Sequence, residues 1–133
     1  MKVRLLALAA AVTLLGAVPA GAVTSGTESG LRSAVARLLS AELARDGATA
    51  CSILYAPLTA TAGGRTCAQR WDARIAHTLS RRGGAARLRG DLRAVATAAV
   101  TMNGPYATIA LPHPLLNGHS RFYWTANCWM LTN

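Results

Sequence analysis

Residues 92–111 read LRAVATAAVTMNGPYATIAL, and the fold turns on how this stretch is read. The β-branched residues and loose alternation over 92–102 predict a strand. Asn103-Gly104 is a strong two-residue hairpin signal, and residues 106–111 supply the returning strand. Upstream of residue 91 the apolar residues recur at three and four, the period of a helix. Helices first and strands afterwards predict an α+β fold, with helices packed on an antiparallel sheet.

Working back from that boundary, Ser25-x-x-Glu28 fits a capping box at a helix start. Leu31, Val35, Leu38, Leu39 and Leu43 then form one stripe. Asp46-Gly47 ends this helix and caps a short second one that runs to about Leu54. Residues 55–65 contain Pro57 and Gly63-Gly64, which predicts a loop. Thr66 caps a third helix with Cys67, Ala68, Trp71, Ile75 and Leu79 on one face. Gly83-Gly84 breaks it, and a short fourth helix covers 85–89. Working forward, 112–118 is a loop, and 121–125 and 128–132 read as two strands around Ala126-Asn127.

The chain has 133 residues with 14 basic and 5 acidic side chains, a formal charge of +9. Residues 1–22 read as a secretory signal peptide. Lys2 and Arg4 precede an apolar run over 5–18, and Pro19 and Ala20-Gly21-Ala22 form the cleavage region. That run is shorter than the roughly 20 residues a membrane span needs. The expectation is one exported domain over 23–133, charge +7, with no membrane span in the mature chain. Its basic residues are all Arg, so Schiff-base chemistry on lysine is excluded.

The order of elements resembles a known superfamily. The residues that carry the resemblance are the long first helix, Arg-Asp-Gly-Ala at 45–48, and a short helix ending in Cys51-Ser52-Ile53-Leu54. A helix opening with Cys67-Ala68, the strand Tyr106-Ala107-Thr108-Ile109 and a late Trp129 follow. Together they are similar to the nuclear transport factor 2-like (ketosteroid isomerase-like, SnoaL-like) superfamily, in its small secreted bacterial form. The resemblance implies a cone-like shape, with helices and a curved antiparallel sheet around a conical pocket. Members use that pocket for catalysis or for binding, so the fold alone does not name an activity.

Enzymes of that superfamily place an acidic base, or an Asp-His pair, inside the cone. Here the carboxylates are Glu28, Glu42, Asp46, Asp72 and Asp91, and none follows residue 91. Glu28 and Asp46 have capping roles, and Asp72 reads as a solvated helix residue paired with a neighbouring Arg. Glu42 is the one catalytic candidate, because its helical angle falls inside the apolar stripe. A carboxylate there is costly unless paired or facing a cavity. One reading is a pocket-facing acid with a raised pKa. The other is a helix-end Glu whose head reaches water or an Arg. His77, His113 and His119 match no metal-ligand spacing. No nucleophile elbow or phosphate loop is present, and no metal or cofactor is expected.

Three cysteines allow three single pairings. An exported chain favours a disulfide, and Cys51–Cys67 would join the second helix to the third at a gain of about 3 kcal/mol. Cys128 would then be left over, free to pair with another chain in a homodimer. Eight Arg and two Asp lie between 65 and 93, and Arg81, Arg82, Arg87 and Arg89 are the candidates for binding an anionic cell-surface polymer. The scarcity of aromatics among them argues against nucleic acid. The aromatic candidates for a ligand wall are Tyr55, Tyr106, Phe122 and Trp124. The leading expectation is non-catalytic binding of a small apolar ligand or a surface partner. The alternatives are an isomerase, dehydratase or cyclase using Glu42, and polymer binding through the Arg patch.

Overall fold

The computed structural model describes residues 26–54, 64–113, 115 and 121–132. The expected signal segment 1–22 lies outside them, as do Ser25, Tyr55 and His119. The described chain is α+β: four helices and a four-stranded antiparallel sheet.

Helix α1 spans Glu28–Leu43 and is capped by Thr27, whose hydroxyl accepts the Gly30 N–H at 3.0 Å. Thr27 takes the cap because its backbone is extended and its oxygen reaches the first turn. Glu28 pairs instead with Arg32 one turn on. Leu31, Val35, Leu38, Leu39, Ala41 and Glu42 form the buried face. Helix α2, Gly47–Cys51, is capped by Asp46, which accepts the Thr49 N–H at 2.9 Å. Hydrogen bonding to Thr49 holds the Asp46 carboxyl below its ordinary range.

Helix α3, Cys67–Ser80, opens with a reciprocal capping box between Thr66 and Gln69. A disulfide joins Cys51 to Cys67 with Cα atoms 6.1 Å apart, which ties the end of α2 to the start of α3. It is compatible with an extracellular setting. No ion pair between Asp72 and an Arg is seen among the described residues; Asp72 Oδ1 accepts the Gly47 N–H at 2.8 Å. That bond draws α2 tightly against α3.

Helix α4 spans Gly84–Ala94, well past the expected end at 89, and the first strand begins eight residues later than expected. Gly84, Leu88, Asp91 and Val95 are buried, at spacings of four, three and four. A helical stripe thus continues through the segment read as a strand, and its Ala-rich composition suits a helix. Arg32 holds the far end: its guanidinium donates to the carbonyls of Val95 and Ala98.

Strands β1 (Val100–Asn103), β2 (Tyr106–Ile109), β3 (Arg121–Trp124) and β4 (Trp129–Leu131) follow as an open antiparallel meander in that order. The first turn is Gly104-Pro105, with Asn103 paired to Tyr106. It is one residue beyond the expected turn because Pro105 lacks the N–H that a ladder position needs. Gly104 supplies the positive φ of 57°. Ala107, Ile109, Phe122, Trp129 and Leu131 point into the core. The β4 edge also reaches the helical half, where Leu131 N–H donates to the Ile53 carbonyl at 2.7 Å. No helix among the described residues is long and apolar enough to cross a membrane.

Gly47 has no room for a side chain. A Cβ there would lie 2.4 Å from Asp72 Oδ1 and 2.5 Å from the Ala68 carbonyl oxygen. Gly47→Ala is expected to destabilise the fold by about 1–3 kcal/mol, read as a lower thermal midpoint by circular dichroism. An unchanged midpoint would contradict the α2–α3 contact.

Candidate functional site

The buried end of α1 carries an acid. Glu42 is 1% exposed, and neither carboxylate oxygen has a hydrogen-bond partner among the described residues. The head therefore does not reach bulk solvent and meets no Arg among the described residues. Burial, and next the charge of Asp91, push the Glu42 carboxyl up to about 8. It carries a proton at neutral pH.

Asp91 completes a small cluster. It is 2% exposed on α4, and its Oδ1 accepts the backbone N–H of His113 at 3.2 Å. The same oxygen lies 3.0 Å from His113 Nδ1. An ionised carboxylate only accepts, so the proton of that bond belongs to Nδ1. The His113 side chain is 44% exposed. The arrangement runs from a protonated buried acid, past a second buried carboxyl, to an imidazole at the surface. Two carboxyls in unlike environments are the usual raw material of acid–base chemistry. Sequence reasoning counted Asp91 only as a counter-charge in the Arg cluster. Its spacing from Leu88 and Val95 was the signal that could have placed it inside.

A separate groove of about 310 Å³ runs between α1 and the β3–β4 hairpin. Gly30, Ala34, Ile53, Trp124 and Trp129 give it an apolar side, and Ser33, Arg37, Ser52, Asn127 and Cys128 a polar one. The two indole rings are tilted at 55° with centroids 5.5 Å apart. Trp129 is fixed by its Nε1–H, which donates to the Thr27 carbonyl at 3.0 Å. Arg37 donates to Ser52 Oγ at 3.3 Å, which holds the guanidinium at the rim. Cys128 is an exposed free thiol beside it.

The aromatic candidates among the described residues occupy different places. Trp124 lines the groove, whereas Phe122 is fully enclosed in the core. Tyr106 lies on the opposite face of the sheet, 5.2 Å from the Tyr123 ring. Tyr55 lies outside the described residues.

Arg81, Arg82, Arg87 and Arg89 are all exposed. Arg81 and Arg82 follow α3. Arg87 and Arg89 flank the buried stripe of α4 on opposite sides, about 160° apart around the helix. Arg87 and Arg89 therefore do not share one face of α4. Among the described residues no group of three His, Cys, Asp or Glu side chains is placed to hold a metal ion.

The Glu42 proton makes stability depend on pH. Unfolding lowers this carboxyl from about 8 to its ordinary 4.5. Between those values the folded chain holds a proton that the unfolded chain does not. Stability therefore falls as pH rises through that window, by at most about 1.4 kcal/mol per pH unit. Glu42→Gln is expected to remove this slope and to gain on the native chain toward pH 9, in urea unfolding at several pH values. Parallel slopes for the two proteins would refute a buried proton on Glu42.

Compared with known proteins, the chain matches no family model, no curated protein and no solved structure, so its functional reading rests on these residues and their geometry.

Proposed function

We propose that the protein binds a small amphipathic molecule in the groove between α1 and the β3–β4 hairpin. The observation that carries this reading is the pairing of an indole wall with a fixed guanidinium at the rim. Trp124 and Trp129 offer apolar surface to a hydrocarbon body, while Arg37 and Ser52 offer hydrogen bonds to an acidic or polar end. The volume falls at the low end of the roughly 300–1,000 Å³ typical of small-molecule sites. The same reading takes the chain as an exported member of the nuclear transport factor 2-like superfamily, acting at the cell surface without catalysis. Its supports are the helix-then-meander order, the Cys51–Cys67 disulfide and the signal-like residues 1–22.

Dodecanoate is a suitable probe. Two of the three tryptophans line the groove, so intrinsic fluorescence should change saturably as dodecanoate is added. Arg37→Ala is expected to weaken binding about tenfold, the loss of one charge-assisted hydrogen bond. Ala34→Phe should abolish it by filling the groove. Absence of saturation, or indifference to both substitutions, would refute the proposal.

A second reading is favoured by the buried acid pair. Glu42 would serve as the acid–base group on an enolisable carbonyl compound once the α1–α4 interface opens to admit it, because the closed fold leaves its carboxyl 1% exposed and without a hydrogen-bond partner among the described residues. Deuterium exchange into a cyclic ketone tests it. Catalysed exchange should be lost in Glu42→Gln, and exchange retained by that variant would refute a catalytic role.

A further inference from the structure

The side of the sheet turned away from the helices bears a second hollow, of about 170 Å³. Thr101, Asn103, Tyr106, Ala107, Thr108 and Arg121 line it. The strand register explains the grouping. Thr101 pairs with Thr108, and Thr108 with Arg121, so these three side chains stand in one row across β1, β2 and β3. Asn103, Tyr106 and Tyr123 form the neighbouring row.

Arg121 is the distinctive member. Its guanidinium carbon lies 3.9 Å from the centroid of the Tyr106 ring, a stacked contact that restrains the plane and leaves the N–H edge available. No carboxylate pairs with it among the described residues. All five acidic side chains belong to the helical half: Glu28 meets Arg32, Asp46 caps α2, Asp72 holds Gly47, Asp91 holds His113, and Glu42 is buried. The chain as a whole carries +9, which draws anions toward it.

We propose that this face binds an anionic sugar, its carboxylate on Arg121 and its hydroxyls on Thr101, Thr108 and Asn103. A guanidinium stacked on Tyr106, with no carboxylate partner among the described residues, selects an oxyanion. The hydroxyl and amide groups of Thr101, Thr108 and Asn103 suit the hydroxyls of a sugar ring, and the Tyr106 ring suits its C–H face. The hollow is smaller than the roughly 300 Å³ at which drug-sized pockets begin, in keeping with a single ring. One ring so held binds weakly, and a polymer of uronate units would gain through repeated engagement. The anionic surface polymer would therefore meet the sheet face, and the scattered Arg residues of α3 and α4 would serve only as a long-range field.

Sodium glucuronate is the probe, titrated into the full chain at constant ionic strength and followed by amide NMR shifts. Amides of Thr101, Thr108 and Arg121 should shift saturably. Glucose and sodium acetate should each bind at least about tenfold more weakly. Arg121→Gln should cost a similar factor, and Tyr106→Leu should also weaken binding while leaving the charge in place. Both sites are at the surface, and unchanged amide shifts in the helices would confirm that the variants fold. An equal response to glucose would overturn the role of charge, and an equal response to acetate would overturn sugar recognition. Unaltered binding in Arg121→Gln would overturn the assignment of the anchor. Arg37→Ala should leave glucuronate binding intact, so this site and the dodecanoate groove stand or fall separately.

Discussion

The buried face of α1 is the constraint on which the other elements depend. Helices α2, α3 and α4 and strand β4 all pack against this one helix. Its Leu31, Val35, Leu38 and Leu39 are fully enclosed, and each enclosed side chain of this kind contributes about 1.5–3 kcal/mol by leaving water. Two polar clips set what the apolar face cannot. Arg32 takes the carbonyls at the end of α4, so the helix-to-strand crossing starts from a fixed point. The Trp129 indole takes the Thr27 carbonyl, so the last strand is held to the residue that begins α1. Gly26 packs against the same ring, where a Cβ would come within 2.4 Å. Both clips satisfy groups that a helix end or a buried ring would otherwise leave unpaired.

That same face ends in a carboxyl group, and this is the costliest feature of the core. Removing an ionised carboxylate from water is far more unfavourable than removing a leucine side chain is favourable, and the fold meets the difference by keeping Glu42 protonated. Asp91 cannot relieve it, since a second carboxyl nearby raises the cost of charge on the first. Asp91 in turn is made tolerable by two hydrogen bonds from His113. The polar cluster and the helix packing are therefore one arrangement. The α1–α4 interface is where the chain stores a proton.

The groove and the hollow proposed as ligand sites lie on opposite faces of a small sheet, and strand alternation puts them there. Phe122 and Trp124 point toward the helices, Arg121 and Tyr123 away. One face is closed by α1 except at the Trp124–Trp129 end, where the groove remains. No described helix packs on the other face, as antiparallel sheets allow, and it carries the row of Thr101, Thr108 and Arg121.

Much of this was legible in the chain of residues. The stripe of α1, the Asp46 and Thr66 caps, the Gly83-Gly84 break, the late strands and the inward angle of Glu42 all follow from local periodicity and from side-chain chemistry within a few residues. The Cys51–Cys67 pairing was one of three that composition permitted, and only proximity in space selects it. The end of α4 was misread because an Ala-rich run with scattered valines fits a strand and a helix alike. Its decision came from Arg32, 63 residues away in sequence from Val95. The turn shifted by one residue because Pro105 cannot join a ladder. What local pattern could not contain was the company each polar group keeps. Asp91 beside Glu42, His113 on Asp91, and Arg121 over Tyr106 arise only when distant segments meet. Periodicity determines which way a side chain faces; what it faces is decided by tertiary packing.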